Sequence, residues 1–166
     1  MAGTDATDLQ ALLSEFLDAC VDALDTIPGF DPGLGGAPDR RFISPGQSAD
    51  DCCPDQLTVY ALQVNGQEVG PEHSYGRYNM PVIQARIVRC IPTEAEAPDP
   101  DERTEIAAQV NADGWALWNS IFNAIRSGDL FTLCGPVIWD GLRSVQPSGL
   151  CGGWTLTLRV RLEGYS

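Results

Sequence analysis

Cys151-Gly152-Gly153-Trp154-Thr155-Leu156-Thr157-Leu158-Arg159-Val160-Arg161-Leu162-Glu163 is the most regular stretch of the chain. In an extended backbone successive side chains point to opposite faces. Trp154, Leu156, Leu158, Val160 and Leu162 therefore share one side, and Thr155, Thr157, Arg159, Arg161 and Glu163 share the other. One apolar and one polar face is the pattern of an antiparallel sheet covered on one side only. The same alternation marks strands over Gln56–Val64, Met80–Cys90 and Gly135–Val145, with a short fourth candidate at Arg41-Phe42-Ile43. Asn65-Gly66 reads as a tight turn after the first of these.

Two helices complete the pattern. Thr7 to Asp25 carries Leu9, Leu12, Leu13, Phe16, Leu17, Cys20, Val21 and Leu24 at helical spacing, after a capping-box start at Thr7 and Gln10 and before a stop at Pro28-Gly29. A second helix begins at Asp101 or Thr104 and runs to about Ser127, with Gly128 as its C-terminal stop and Gly114 as a weak point inside it. The fold class this implies is α+β: a single domain over residues 1–166, a mainly antiparallel sheet, and both helices on its apolar face, in the order α-β-β-α-β-β. Leu57, Val59, Ile87, Leu156, Leu158 and Val160 are the expected core. Extended loops are expected at about residues 29–51 and 66–79, and loops of that length commonly act as interaction elements.

The chain has 166 residues, 43% of them apolar, and a net charge of −13, with arginine as its sole basic side chain. No stretch approaches the ~18 apolar residues of a membrane span, so no membrane partner is expected. The N-terminus lacks a basic segment before an apolar run, so the reading is synthesis and folding in a cytoplasm. So acidic a surface argues against tight wrapping of nucleic acid, which needs clustered cations to release phosphate counterions.

The six cysteines include no pair of C-x-x-C knuckles, and adjacent Cys52-Cys53 is a poor chelate, so no metal is expected. Cys20, on the apolar stripe of the first helix, reads as a core residue. His73, the single histidine, lies in the polar run Glu72-His73-Ser74 and reads as solvated rather than as the base of a thiol nucleophile. Gly33-Leu34-Gly35-Gly36 has no Lys-Ser/Thr after it and no strand before it, and fails as a phosphate loop. Acid pairs such as Asp50-Asp51 read as solvent-facing. The expectation is therefore no catalytic residue and no cofactor. Pairing of the first two strands brings Cys90 opposite the Cys52/Cys53 pair, and a disulfide between Cys53 and Cys90 is the candidate bridge. Trp115, Trp118, Trp139 and Trp154 are expected mainly in the core, with one or two free to act as interface anchors.

Several segments together resemble the tail-terminator (tail-completion) proteins of long-tailed phages that infect actinobacteria. They are Phe42-Ile43-Ser44-Pro45-Gly46, Asp51-Cys52-Cys53-Pro54-Asp55-Gln56-Leu57-Thr58-Val59, Ile87-Val88-Arg89-Cys90-Ile91-Pro92, Asp113-Gly114-Trp115-Ala116-Leu117-Trp118-Asn119 and Gly149-Leu150-Cys151-Gly152-Gly153-Trp154. They span about residues 40 to 163 in order, and none is a catalytic signature. The resemblance implies a virion protein of the tail and neck, assembled in the host cytoplasm. It would form a homohexameric ring on the tail tube, bind the major tail protein below and a head-closure or adaptor protein above, and pass DNA transiently through its lumen. Asp31, Asp39, Asp50, Asp51 and Asp55 are the candidate lumen or interface acids, since a net-negative wall leaves DNA mobile. The alternatives are a head-closure or adaptor protein of the same neck, and, from another class, a soluble enzyme or ligand-binding domain.

Overall fold

A computed structural model describes residues 9–27, 36–47, 53–68, 77–91, 99–132, 134–148 and 151–163. Among them the elements run α1 (Leu9–Asp25), β1 (Arg40–Ile43), β2 (Gln56–Glu68), β3 (Arg77–Cys90), α2 (Pro100–Ser127), β4 (Val137–Ser148), β5 (Cys151–Val160) and β6 (Leu162–Glu163). The strands form one sheet in the order β1-β2-β3-β5-β4, with β6 pairing β3 beyond the end of β5. The α+β class holds, but the order is α-β-β-β-α-β-β-β.

The sheet is mixed rather than purely antiparallel, because β1 runs parallel to β2, with Arg40 opposite Gln56 and Ile43 opposite Val59. Within the loop expected at about residues 29–51, Arg40–Ile43 is thus a strand of its own subunit's sheet. Three bonds hold it there. Ser44 N–H extends the ladder to the Val59 carbonyl (2.9 Å), Ala37 N–H donates to Asp25 at the end of α1 (2.8 Å), and the Gly36 carbonyl accepts from Arg89 (2.7 Å).

A second correction concerns the Asn65-Gly66 turn. The β2–β3 ladder runs straight through it, pairing Asn65 with Met80, Gly66 with Asn79 and Glu68 with Arg77. An antiparallel hairpin gains two reciprocal backbone bonds at every second residue pair, and the ladder's continuation outweighs the local turn preference of Asn-Gly. The connection proper, like His73, Thr7 and the acids Asp31, Asp50 and Asp51, lies outside the described residues.

Core positions follow the alternation. Leu57, Val59, Ile87, Leu156, Leu158 and Val160 are all fully buried, in one cluster with Leu12, Phe16, Cys20 and Leu24 of α1 and Leu117 and Ile121 of α2. Both helices therefore lie on the same face of the sheet. α2 starts at Asp99, whose carboxylate accepts from Asp101 N–H (3.1 Å), with Pro100 in the first turn, and ends at Gly128 in the left-handed conformation (φ 79°). Two glycines mark where backbone must come close. A Cβ at Gly114 would stand 2.8 Å from the Trp154 indole, so this apparent weak point is what seats α2 on β5. A Cβ at Gly153 would fall on the carbonyl oxygen of Ile87, so β3 and β5 can be neighbours here only with glycine.

Candidate functional site

Two places concentrate polar groups. The first is a buried junction around Arg89, the penultimate residue of β3. Its Nε and Nη2 donate to Oδ2 and Oδ1 of Asp113 on α2 (2.8 and 2.9 Å), Nη1 donates to Asp55 just before β2 (3.1 Å), and Nη2 also reaches the Gly36 carbonyl (2.7 Å). Asp55 accepts in addition the N–H of Cys90 (2.6 Å). Arg89 is 5% exposed and Asp113 1%, so the pair sits out of water. Two parallel N–H bonds from a planar guanidinium are the geometry of an ionised carboxylate. Burial alone would lower the Arg89 pKa, but the bonds and charges of Asp113 and Asp55 outweigh it and hold the pKa above its ordinary value. Burial pushes the Asp113 carboxyl upward, with Arg89 opposing.

The candidate bridge between Cys53 and Cys90 is formed, with Cα atoms 4.9 Å apart, and closes the junction from the side of β2. Cys151, opposite Cys90 in the β3–β5 register, is also disulfide-bonded. Cys20 and Cys134 are free thiols; burial is the main cause raising both, well above the usual thiol range for Cys20 and to about 11 for Cys134, where Glu15 adds to it. Thiols so raised are protonated at neutral pH and are poor nucleophiles.

The second place is the sheet face away from the helices. A groove of about 520 Å³ is lined there by Tyr60, Gln84, Arg86, Arg143, Thr157 and Arg159, among others. Gln84 connects two strands, accepting from the Tyr60 hydroxyl (2.6 Å) and donating to Thr157 Oγ1 (2.9 Å). Arg159 pairs with Asp140 of β4 (2.7 Å). In a chain of net charge −13, this face gathers three arginines against one aspartate. Its donors suit anionic or polar contact surfaces, by hydrogen bonding and charge.

Of the sequence-nominated acids, Asp39 is exposed and Asp55 is half-buried, spent on Arg89 and Cys90 within its own subunit. The Arg89–Asp113 pair was the residue set that sequence reasoning missed, although a signal existed. Asp113 occupies the helical spacing between Val110 and Leu117 on the apolar stripe of α2, where a carboxylate needs a buried cation. Of the tryptophans, Trp118, Trp139 and Trp154 pack against the core, whereas Trp115 is 65% exposed. Among the described residues no His, Cys, Asp and Glu side chains gather in a metal-binding group, and no helix is long and apolar enough to cross a membrane. No protein-family model matches the chain, and no curated protein aligns with it.

Proposed function

We propose that this chain is a structural virion protein of a tailed phage: a tail terminator that forms a ring on the finished tail tube and joins it to the head. The observation that carries the reading is the convergence of the segments on which the resemblance rests. Asp55, Arg89, Cys90, Asp113, Gly114 and Trp154 come from four stretches of sequence, and they interlock through the buried ion pair, the disulfide to Cys53 and the Gly114–Trp154 contact. They act as a clamp that makes the sheet and α2 one rigid piece, as a repeated ring subunit requires. The strongly acidic surface suits a passage through which DNA must move without being held.

The test is protein mass spectrometry and cryo-electron microscopy of purified virions encoding this chain. The expected result is a few copies per particle, located as a ring at the head-proximal end of the tail. Deletion of the gene should leave tails of uncontrolled length that do not join heads. Absence from virions, or presence on the head side of the neck alone, overturns the terminator reading.

A further inference from the structure

Resting on that reading of a ring subunit, we propose where one copy meets the next. The β4 edge, with the adjoining flank of α2, receives the outer face of α1 from a second copy of this chain.

Among the described residues β4 is the last strand on its side of the sheet, and it is twelve residues long, where strands are usually about 5–6. Proteins normally blunt such an edge or cover it with another element. Beside it lies an apolar flank. Phe122 of α2 packs on Trp139 of β4 with ring centroids 5.5 Å apart and is still 39% exposed; Trp115, two helical turns earlier on the same side, is 65% exposed. Ile138, which pairs with Arg159 and so lies on the other face of β4, is 47% exposed. Large aromatics displayed next to an open edge are what an interface core is made of. On the opposite face of the same strand, where it lines the groove, Arg143 is exposed, and among the described residues it has no ion-pair partner.

The other side of the molecule is the complement. α1 packs over β1, β2 and β3, at the far end of the sheet from β4. Its outer face bears Asp18 and Asp22, one turn apart and both exposed, and α1 contains no basic residue. Glu15 and Asp25 of the same helix are already engaged with backbone N–H groups of their own subunit, but Asp18 and Asp22 form no such bond among those described. Leu17 and Val21 beside them are half-buried and leave apolar atoms for Trp115 to cover. A helix laid along β4 in the plane of the sheet would shield its edge, turning Leu17 and Val21 to Trp115 and Phe122 on the α2 side and two carboxylates to Arg143 on the other. The two contact patches differ and lie on opposite sides, so the contact is head-to-tail, the kind that closes into a ring when the rotation allows.

The experiment is native mass spectrometry with light scattering on four samples: wild type, Arg143→Glu, Asp18→Arg/Asp22→Arg, and an equimolar mixture of the two variants. Each charge variant presents like charges to its own copies and is expected to be monomeric. In the mixture every contact is again complementary, one swapped and the next native, so alternating rings should reappear. Trp115→Ala, at an exposed site, should weaken assembly roughly tenfold or more without moving the melting temperature measured at a dilution where both proteins are monomeric. Rings formed equally well by either charge variant, or a mixture that stays monomeric while wild type assembles, overturn this interface and leave the ring reading standing. A wild type that stays monomeric at millimolar concentration also overturns the interface, while the virion measurement decides the neck assignment separately.

Discussion

Arg89 and Asp113, on a strand and a helix twenty-four residues apart, form a two-pronged ion pair almost completely closed to water. Removing one partner of a buried pair strands the other charge, at about 3–5 kcal/mol, whereas replacing both by apolar groups is often neutral. Asp113→Leu alone should therefore destabilise by about that amount, and Arg89→Met/Asp113→Leu by much less. Urea unfolding of the two singles and the double measures the difference. A small loss for Asp113→Leu beside a large one for Arg89→Met would mean that Asp55 and Gly36, and not Asp113, are the partners that matter.

Gly114 sets intrinsic propensity against packing. In a free helix Gly→Ala gains about 1 kcal/mol. Here the new methyl would meet the Trp154 ring at 2.8 Å, and overpacking typically costs about 1–3 kcal/mol. Gly114→Ala should lower stability, and adding Trp154→Leu should recover part of the loss. Thermal melts of both variants check this, and a stabilised Gly114→Ala would show that α2 rides higher on the sheet.

Leu158 is fully buried at the centre of β5, between β3 and β4. Leu158→Ala should cost about 2–5 kcal/mol, the usual range for an emptied core site. Thr157→Ala, on the opposite face, should cost far less than that. Denaturant midpoints distinguish the two, and equal effects would mean that the strand faces the other way.

The Cys53–Cys90 bridge spans 37 residues of sequence. By chain entropy a loop of that size is worth roughly 3–4 kcal/mol, so Cys53→Ser should lower the unfolding free energy by up to that amount. In the same material, alkylation without reductant should label buried Cys20 only after unfolding, and half-buried Cys134 only slowly before it, because both thiols are raised. For Cys134 the sign is clear: its folded pKa is above the unfolded value, so labelling of the native protein should stay slow at pH 8 and quicken as pH rises towards 11. Labelling of Cys53, Cys90 or Cys151 before reduction would contradict the bonding described.

Side-chain spacing alone determined the α+β class, the two helices, the facing of β5 and the approach of Cys90 to Cys53, because these are periodic or near-neighbour properties of one segment or one hairpin. A strand of period two carries its burial pattern wherever it is placed, so Leu156, Leu158 and Val160 were legible as core. Tertiary structure decided what depends on several segments at once. The parallel pairing of Arg40–Ile43 has no local signature; β1 is held by ladder bonds to β2, and the approach to it by Asp25 and Arg89. Asn65-Gly66 passes through a ladder because the pairing on both sides outweighs its turn preference. Trp115 and Trp118 sit 60° apart around one helix, and only the placement of α2 on Trp154 and Trp139 shows which of them is left to solvent. The charge of Asp113 sits on an apolar stripe for a reason found on another strand, since burying a carboxylate is tolerable only where a cation is delivered to it.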